Sequence, residues 1–144
     1  MTERKQIEQT VEQLAFQDPL TRLPNRVALI FQLERAIARA RAASRPLALL
    51  RVRLDRFREI HNTLGRENSE TLLGEVAERL RQIPPADVVA RIGGAEFVLL
   101  STARDAEAAL RLAESTVRIL EAPIVVADLP VEVGASIGIA MFPG

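Results

Sequence analysis

Gly93-Gly94 stands between two short apolar runs, Val88-Val89-Ala90 and Phe97-Val98-Leu99-Leu100. Runs this short, made of β-branched, aromatic and aliphatic residues, read as strands. Two adjacent glycines between them mark a tight hairpin, because glycine takes positive φ at little steric cost. An antiparallel pair in the middle of the chain constrains what the rest can build around it. Glycines also let a backbone approach a ligand closely, and phosphate is the usual ligand that exploits this. On Arg91 to Phe97 alone, a plain surface hairpin with an exposed Glu96 explains the pattern as well.

Helices and strands are interleaved on either side. Residues 3–16 are polar, with Ile7, Val11 and Leu14 recurring at four and three. That spacing suits an amphipathic helix docked on its own domain and equally the seam of a short coiled coil. Asp18 to Asn25 is a loop fixed by Pro19 and Pro24, and Asn25 is placed to cap the helix that follows. Leu29, Leu33, Ile37 and Ala40 form that helix's inward stripe, with Arg35, Arg39 and Arg41 on its solvated side. It ends before Pro46.

Leu47 to Asp55 reads as the first core strand. Ala48, Leu50, Val52 and Leu54 share one face, and Leu47, Leu49, Arg51, Arg53 and Asp55 share the other. Arg56 to Asn62 is a short helical turn. From about Asn68 a longer helix carries Leu72, Val76, Leu80 and Ile83 inward, until Pro84-Pro85 stops it. Beyond the hairpin, Asp105 caps a helix whose stripe is Ala109, Leu110, Ala113, Val117 and Leu120. Ile124 to Ala127 and Val131 to Met141 read as a second strand pair, turning at Asp128-Leu129-Pro130. The order predicts an α+β domain, an antiparallel-rich sheet with helices packed on it.

Composition narrows the functions. The chain has 144 residues, enough for one domain with its own core. Nineteen basic and nineteen acidic residues cancel, so there is no electrostatic case for nucleic acid or an anionic membrane. The absence of Cys excludes disulfides, thiolate metal sites and thiol nucleophiles. Phe is the only aromatic residue type, which argues against a base-stacking platform. No apolar run approaches the roughly 20 residues of a membrane span. No signal peptide opens the chain, so a cytoplasmic location is expected. A lone His61 is not a metalloenzyme pattern, and Gly93-Gly94 lacks the Lys-Ser/Thr of a P-loop.

Five ordered stretches resemble one family. Arg91-Ile92-Gly93-Gly94-Ala95-Glu96-Phe97 resembles the signature hairpin of the GGDEF family, the diguanylate cyclases of bacterial cyclic di-GMP signalling. Asp18-Pro19-Leu20-Thr21-Arg22-Leu23-Pro24-Asn25-Arg26 resembles the family's opening DPLTGLPNR. Leu54-Asp55-Arg56-Phe57-Arg58-Glu59-Ile60-His61-Asn62 falls on its LDxDxFKxIND stretch, Leu72 to Leu80 on the helix after it, and Val133 to Ala140 on its late strand. The resemblance implies a palm-like, ferredoxin-related sheet over residues 18–144, preceded in residues 1–17 by a signalling or stalk helix. The family normally continues into a further helix with basic residues, so a domain cut at its C-terminal end is expected.

A diguanylate cyclase joins two GTP molecules held by two subunits, and Mg²⁺ on carboxylate oxygens neutralises the phosphates. The resemblance implies two such carboxylates, one on the first strand and one on the hairpin. Here Arg53 and Ala95 stand at those positions. A guanidinium about 4 Å from a divalent ion repels it by roughly 8 kcal/mol at an effective dielectric near 20, before solvent relief. Glu96 keeps the signature's fourth position. Asp55 matches an acid that is not the family's metal ligand. The guanine-reading positions correspond to His61 and Glu70, with Asn62 one place away, and the phosphate-cradling backbone to Gly93 and Gly94. The inhibitory RxxD corresponds to Pro84-Pro85-Ala86-Asp87, which keeps only its acid, so no feedback site is expected.

Three readings follow. The first is a degenerate GGDEF domain without cyclase activity, serving as a regulatory or GTP-sensing module, ahead of an EAL domain or behind a sensor. In it Arg53 takes over the metal's task, pairing with a phosphate or with Glu96. The second is an active cyclase, a homodimer using Mg²⁺ on Asp55 and Glu96. The third is an interaction module without a ligand.

Overall fold

The computed structural model describes residues 15–83 and 86–143. The stripe of Ile7, Val11 and Leu14 and the proline pair Pro84-Pro85 lie outside them. Elements run in the order α1 (Arg26–Ala43), β1 (Leu47–Leu54), α2 (Phe57–Arg81), β2 (Val88–Gly93), β3 (Glu96–Ser101), α3 (Ala106–Glu121), β4 (Ile124–Val126), β5 (Leu129–Val131) and β6 (Ala135–Phe142).

β1 is the spine. Its even-numbered apolar residues are buried, while Arg51 and Arg53 point outward from the other face. β3 and β6 flank it, both antiparallel, and the sheet order is β2-β3-β1-β6. Sequence-adjacent β2 and β3 form the expected glycine hairpin. Helices cover both faces. Leu29 of α1 packs on Ala90, Val98 and Leu100. On the opposite face, Leu50, Val52, Phe97 and Leu99 meet Leu72, Val76 and Leu80 of α2 and Ala109, Ala113 and Leu120 of α3. This is the predicted α+β arrangement, three layers with the sheet in the middle.

Local chemistry accounts for the helix ends. Asn25 Oδ1 accepts from the Ala28 N–H, and Asp105 Oδ1 from the Ala108 N–H, each satisfying a donor that the first turn leaves unpaired. α2 is two helices joined at Gly65, whose φ of 85° and ψ of 174° only glycine adopts readily. The predicted short turn and longer helix are therefore both present, with their junction at Gly65 instead of Asn68.

Two expectations need correction. Ile124–Val126 does not pair with the late strand. It pairs with Leu129–Val131 in a separate two-stranded sheet, and the turn is Ala127-Asp128, with φ of 51° and 63°. Those left-handed values match the twist of a two-residue hairpin, which placed the turn one step earlier than Pro130 suggested. The late strand, β6, pairs instead with β1 over eight residues. The stripe of α3 also differs. Leu110 is half exposed and Val117 only partly buried, whereas Leu112 and Thr116 are buried. Leu110 follows Ala109 directly and so lies about 100° around the helix from it. Thr116 is accepted inside because its hydroxyl donates to the Leu112 carbonyl at 2.8 Å.

Candidate functional site

The hairpin tip and the C-terminal end of β1 meet at one corner. Gly93 and Gly94 have φ of 143° and 47°, and a Cβ on either would meet no heavy atom within 4 Å. Glycine is required there by the backbone conformation and not by crowding. The Leu54 N–H donates to the Ala95 carbonyl at 3.0 Å, which pins the tip against β1. Register then puts Arg53 directly opposite Glu96 on one side and Ser136 on the other.

Arg91 holds the turn from behind. Its Nε and Nη2 donate to the Gly94 carbonyl, and its Nη1 reaches Asp18 Oδ1 at 2.9 Å. Asp18 also accepts from the Thr21 N–H and hydroxyl. Burial pushes the Asp18 carboxyl up. The Thr21 hydrogen bonds and the Arg91 guanidinium outweigh that and hold it below its ordinary value of 3.8. The loop of residues 18–25 is thus a brace for the signature turn.

Glu96 is not free. Arg51 Nε and Nη2 both donate to its Oε2, at 3.0 and 2.5 Å. The contact is diagonal, since Arg51 pairs in register with Val98. The Arg53 guanidinium, expected to pair with Glu96 or a phosphate, has no hydrogen bond or ion pair among the described residues. Asp55 turns toward β6 and accepts from the Ser136 hydroxyl at 2.5 Å. The two acids proposed as relocated metal ligands therefore face different partners. Among the described residues, no three His, Asp or Glu side chains converge on a point. At the implied metal position a guanidinium and a methyl offer no oxygen, and the remaining carboxylate is neutralised. This donor set does not fit Mg²⁺ held as the resemblance implies.

The guanine-reading candidates gather elsewhere, around the Gly65 kink. Ser69 Oγ donates to the Arg66 carbonyl, so its lone pairs take the proton of His61 Nδ1, 2.9 Å away. His61 Nδ1 is thus engaged with Ser69 inside the helix pair. Glu70 pairs with Arg66 one turn back, at 3.0 Å. Asn62 is exposed. Among the described residues no hydrogen bond links this group to the glycine turn. Asp87, the remaining acid of the inhibitory motif, accepts from the Thr102 N–H at the sheet's end.

Sequence reasoning noticed Arg53 and Ala95 but gave no role to Arg51, Asp18, Arg91 or Ser136. Alternation put Arg51 on the correct face. Its diagonal reach to Glu96 depends on the β1–β3 register, which no single strand reveals.

An antiparallel sheet layered with helices, its glycine hairpin braced beside the tip of the central strand, defines a palm-type nucleotidyl cyclase-like domain. Residues 15–144 match the family model described as "Diguanylate cyclase, GGDEF domain". The chain belongs to the GGDEF family. It is 44% identical over 133 residues to the bifunctional diguanylate cyclase/cyclic di-GMP phosphodiesterase MucR of Pseudomonas aeruginosa, covering 92% of this chain but 19% of MucR. Among solved structures, the GGDEF domain of TpbB from the same organism superposes with a TM-score of 0.83 at 38% identity, covering 88% of this chain and 76% of that one. A sensory box/GGDEF family protein of Caulobacter crescentus gives 0.84 at 32% identity, covering 90% and 85%. The chain spans less than a fifth of the length of MucR. No helix among the described residues is long and apolar enough to cross a membrane.

Proposed function

We propose that this domain regulates cyclic di-GMP signalling without making cyclic di-GMP. The observation that carries the reading is the Arg51–Glu96 pair beside Arg53 and Ala95. Phosphoryl transfer between two nucleotides needs cations held on hard oxygens where charge develops. The lining of this corner holds two guanidiniums and one carboxylate, while Asp55 beyond it is turned to Ser136, so the lining favours phosphate over the cation that activates it. The domain works in the cytoplasm as the GTP-responsive part of a longer protein, with residues 1–17 leading in from a sensor and an EAL-type domain as its output. MucR, whose name joins cyclase and phosphodiesterase, supports that setting. GTP binds weakly over Gly93-Gly94, with Glu70, His61 and Asn62 toward the base.

The test is incubation of the full-length protein with GTP and Mg²⁺ or Mn²⁺, followed by chromatography for cyclic di-GMP. No product is expected at any protein concentration. Turnover to cyclic di-GMP contradicts the proposal.

A further inference from the structure

Arg51 and Arg53 stand two residues apart on one face of β1, across from Gly138 and Ser136 of β6. With Glu96 they line an open cleft of about 390 Å³. Gly138 leaves the floor beside Arg51 bare, since a Cβ there would meet nothing within 4 Å. The two acids nearest the cleft are already occupied. Glu96 is held by Arg51, and Asp55 accepts the Ser136 hydroxyl. Of the two arginines that line the cleft, Arg51 is engaged with Glu96, whereas the Arg53 guanidinium has its donors unspent among the described residues.

We infer that Arg53 binds the phosphate chain of a nucleoside triphosphate in this cleft with no divalent cation, and that Arg51 acts as a positioning residue that keeps Arg53 available by holding Glu96. The inference rests on reading this corner as a non-catalytic nucleotide site. A guanidinium presents five fixed N–H donors that match phosphate oxygens two at a time. It brings the positive charge itself, so no metal is needed to neutralise the ligand. Glu96 lies directly opposite Arg53 in register, and without Arg51 it turns to Arg53 and cancels that charge. Arg51 therefore influences affinity without needing to touch the ligand.

Calorimetry on the full chain in EDTA tests this, with GTP, inorganic triphosphate and guanosine as titrants. GTP and triphosphate bind without Mg²⁺, and guanosine binds far more weakly. Arg53→Ala weakens both anions by about tenfold, the loss of one charge-assisted contact. Arg51→Ala weakens them too, and adding Glu96→Gln to it restores binding. That rescue distinguishes the positioning role from a general loss of structure, and each variant's melting temperature checks that it folds. Binding that requires Mg²⁺, binding unchanged in Arg53→Ala, absence of triphosphate binding, guanosine binding as tight as GTP, or no rescue by Glu96→Gln each overturns the inference. Cyclic di-GMP formation contradicts the proposed function whatever the calorimetry gives. Failed metal-free binding with no turnover overturns this inference alone.

Discussion

Arg91 and Asp18 carry more of the site's rigidity than their place in the sequence suggests. Their side chains are 15% and 14% exposed, and Arg91 divides its donors between Asp18 and the Gly94 carbonyl. Removing one partner of so enclosed a pair strands the other's charge. Arg91→Ala is expected to cost about 3 kcal/mol in urea unfolding, well above the effect of a surface pair. The acid limb of the stability curve belongs to the same pair. The folded state holds Asp18 below its ordinary 3.8, so the unfolded chain takes up this proton first as pH falls. Its contribution is complete above the unfolded value and disappears as pH drops through the folded one. Asp18→Asn should flatten the stability profile in that acid window and leave its slope near neutrality unchanged. At this scale the sequence revealed what was missing, Arg53 and Ala95 in place of acids. It could not reveal what Arg51 holds, because a diagonal contact between strands exists only once register is set.

Asn25 is the joint between two elements. Its side-chain oxygen caps α1 through the Ala28 N–H, while its Nδ2 and backbone N–H donate to the carbonyls of Ala15 and Phe16. One residue thus serves the start of a helix and the end of the segment before it. Asn25→Ala removes both side-chain bonds, and a loss of about 1 to 2 kcal/mol in thermal or urea unfolding is expected, at the upper end for a cap. A loss no larger than that of an exposed Ala substitution within α1 would contradict the double role. Elements with strong punctuation were legible in advance. Asn25, Asp105 and Gly93-Gly94 fixed helix starts and the hairpin by local chemistry alone. The β4–β5 hairpin was misplaced because its left-handed residues are Ala127 and Asp128, and an alanine gives no sign of positive φ. The pairing of β6 with β1 joins residues more than eighty positions apart and left no local trace.

Over the whole molecule, three layers fix the two arginines in relation to the glycine turn. β1 is central, so its buried face anchors on α2 and α3 while its outward polar end is delivered to the hairpin. The same architecture sets Arg51, Arg53 and Glu96 around one cleft beside the turn. The central claim is that this corner has exchanged affinity for a divalent ion for affinity for an anion. Mn²⁺ titration followed by paramagnetic resonance, on the wild type and on Arg53→Asp/Ala95→Asp without nucleotide, measures this directly. The account predicts no stoichiometric Mn²⁺ in the wild type and one or more bound ions gained by the double variant. Stoichiometric, tightly held Mn²⁺ in the wild type would contradict it.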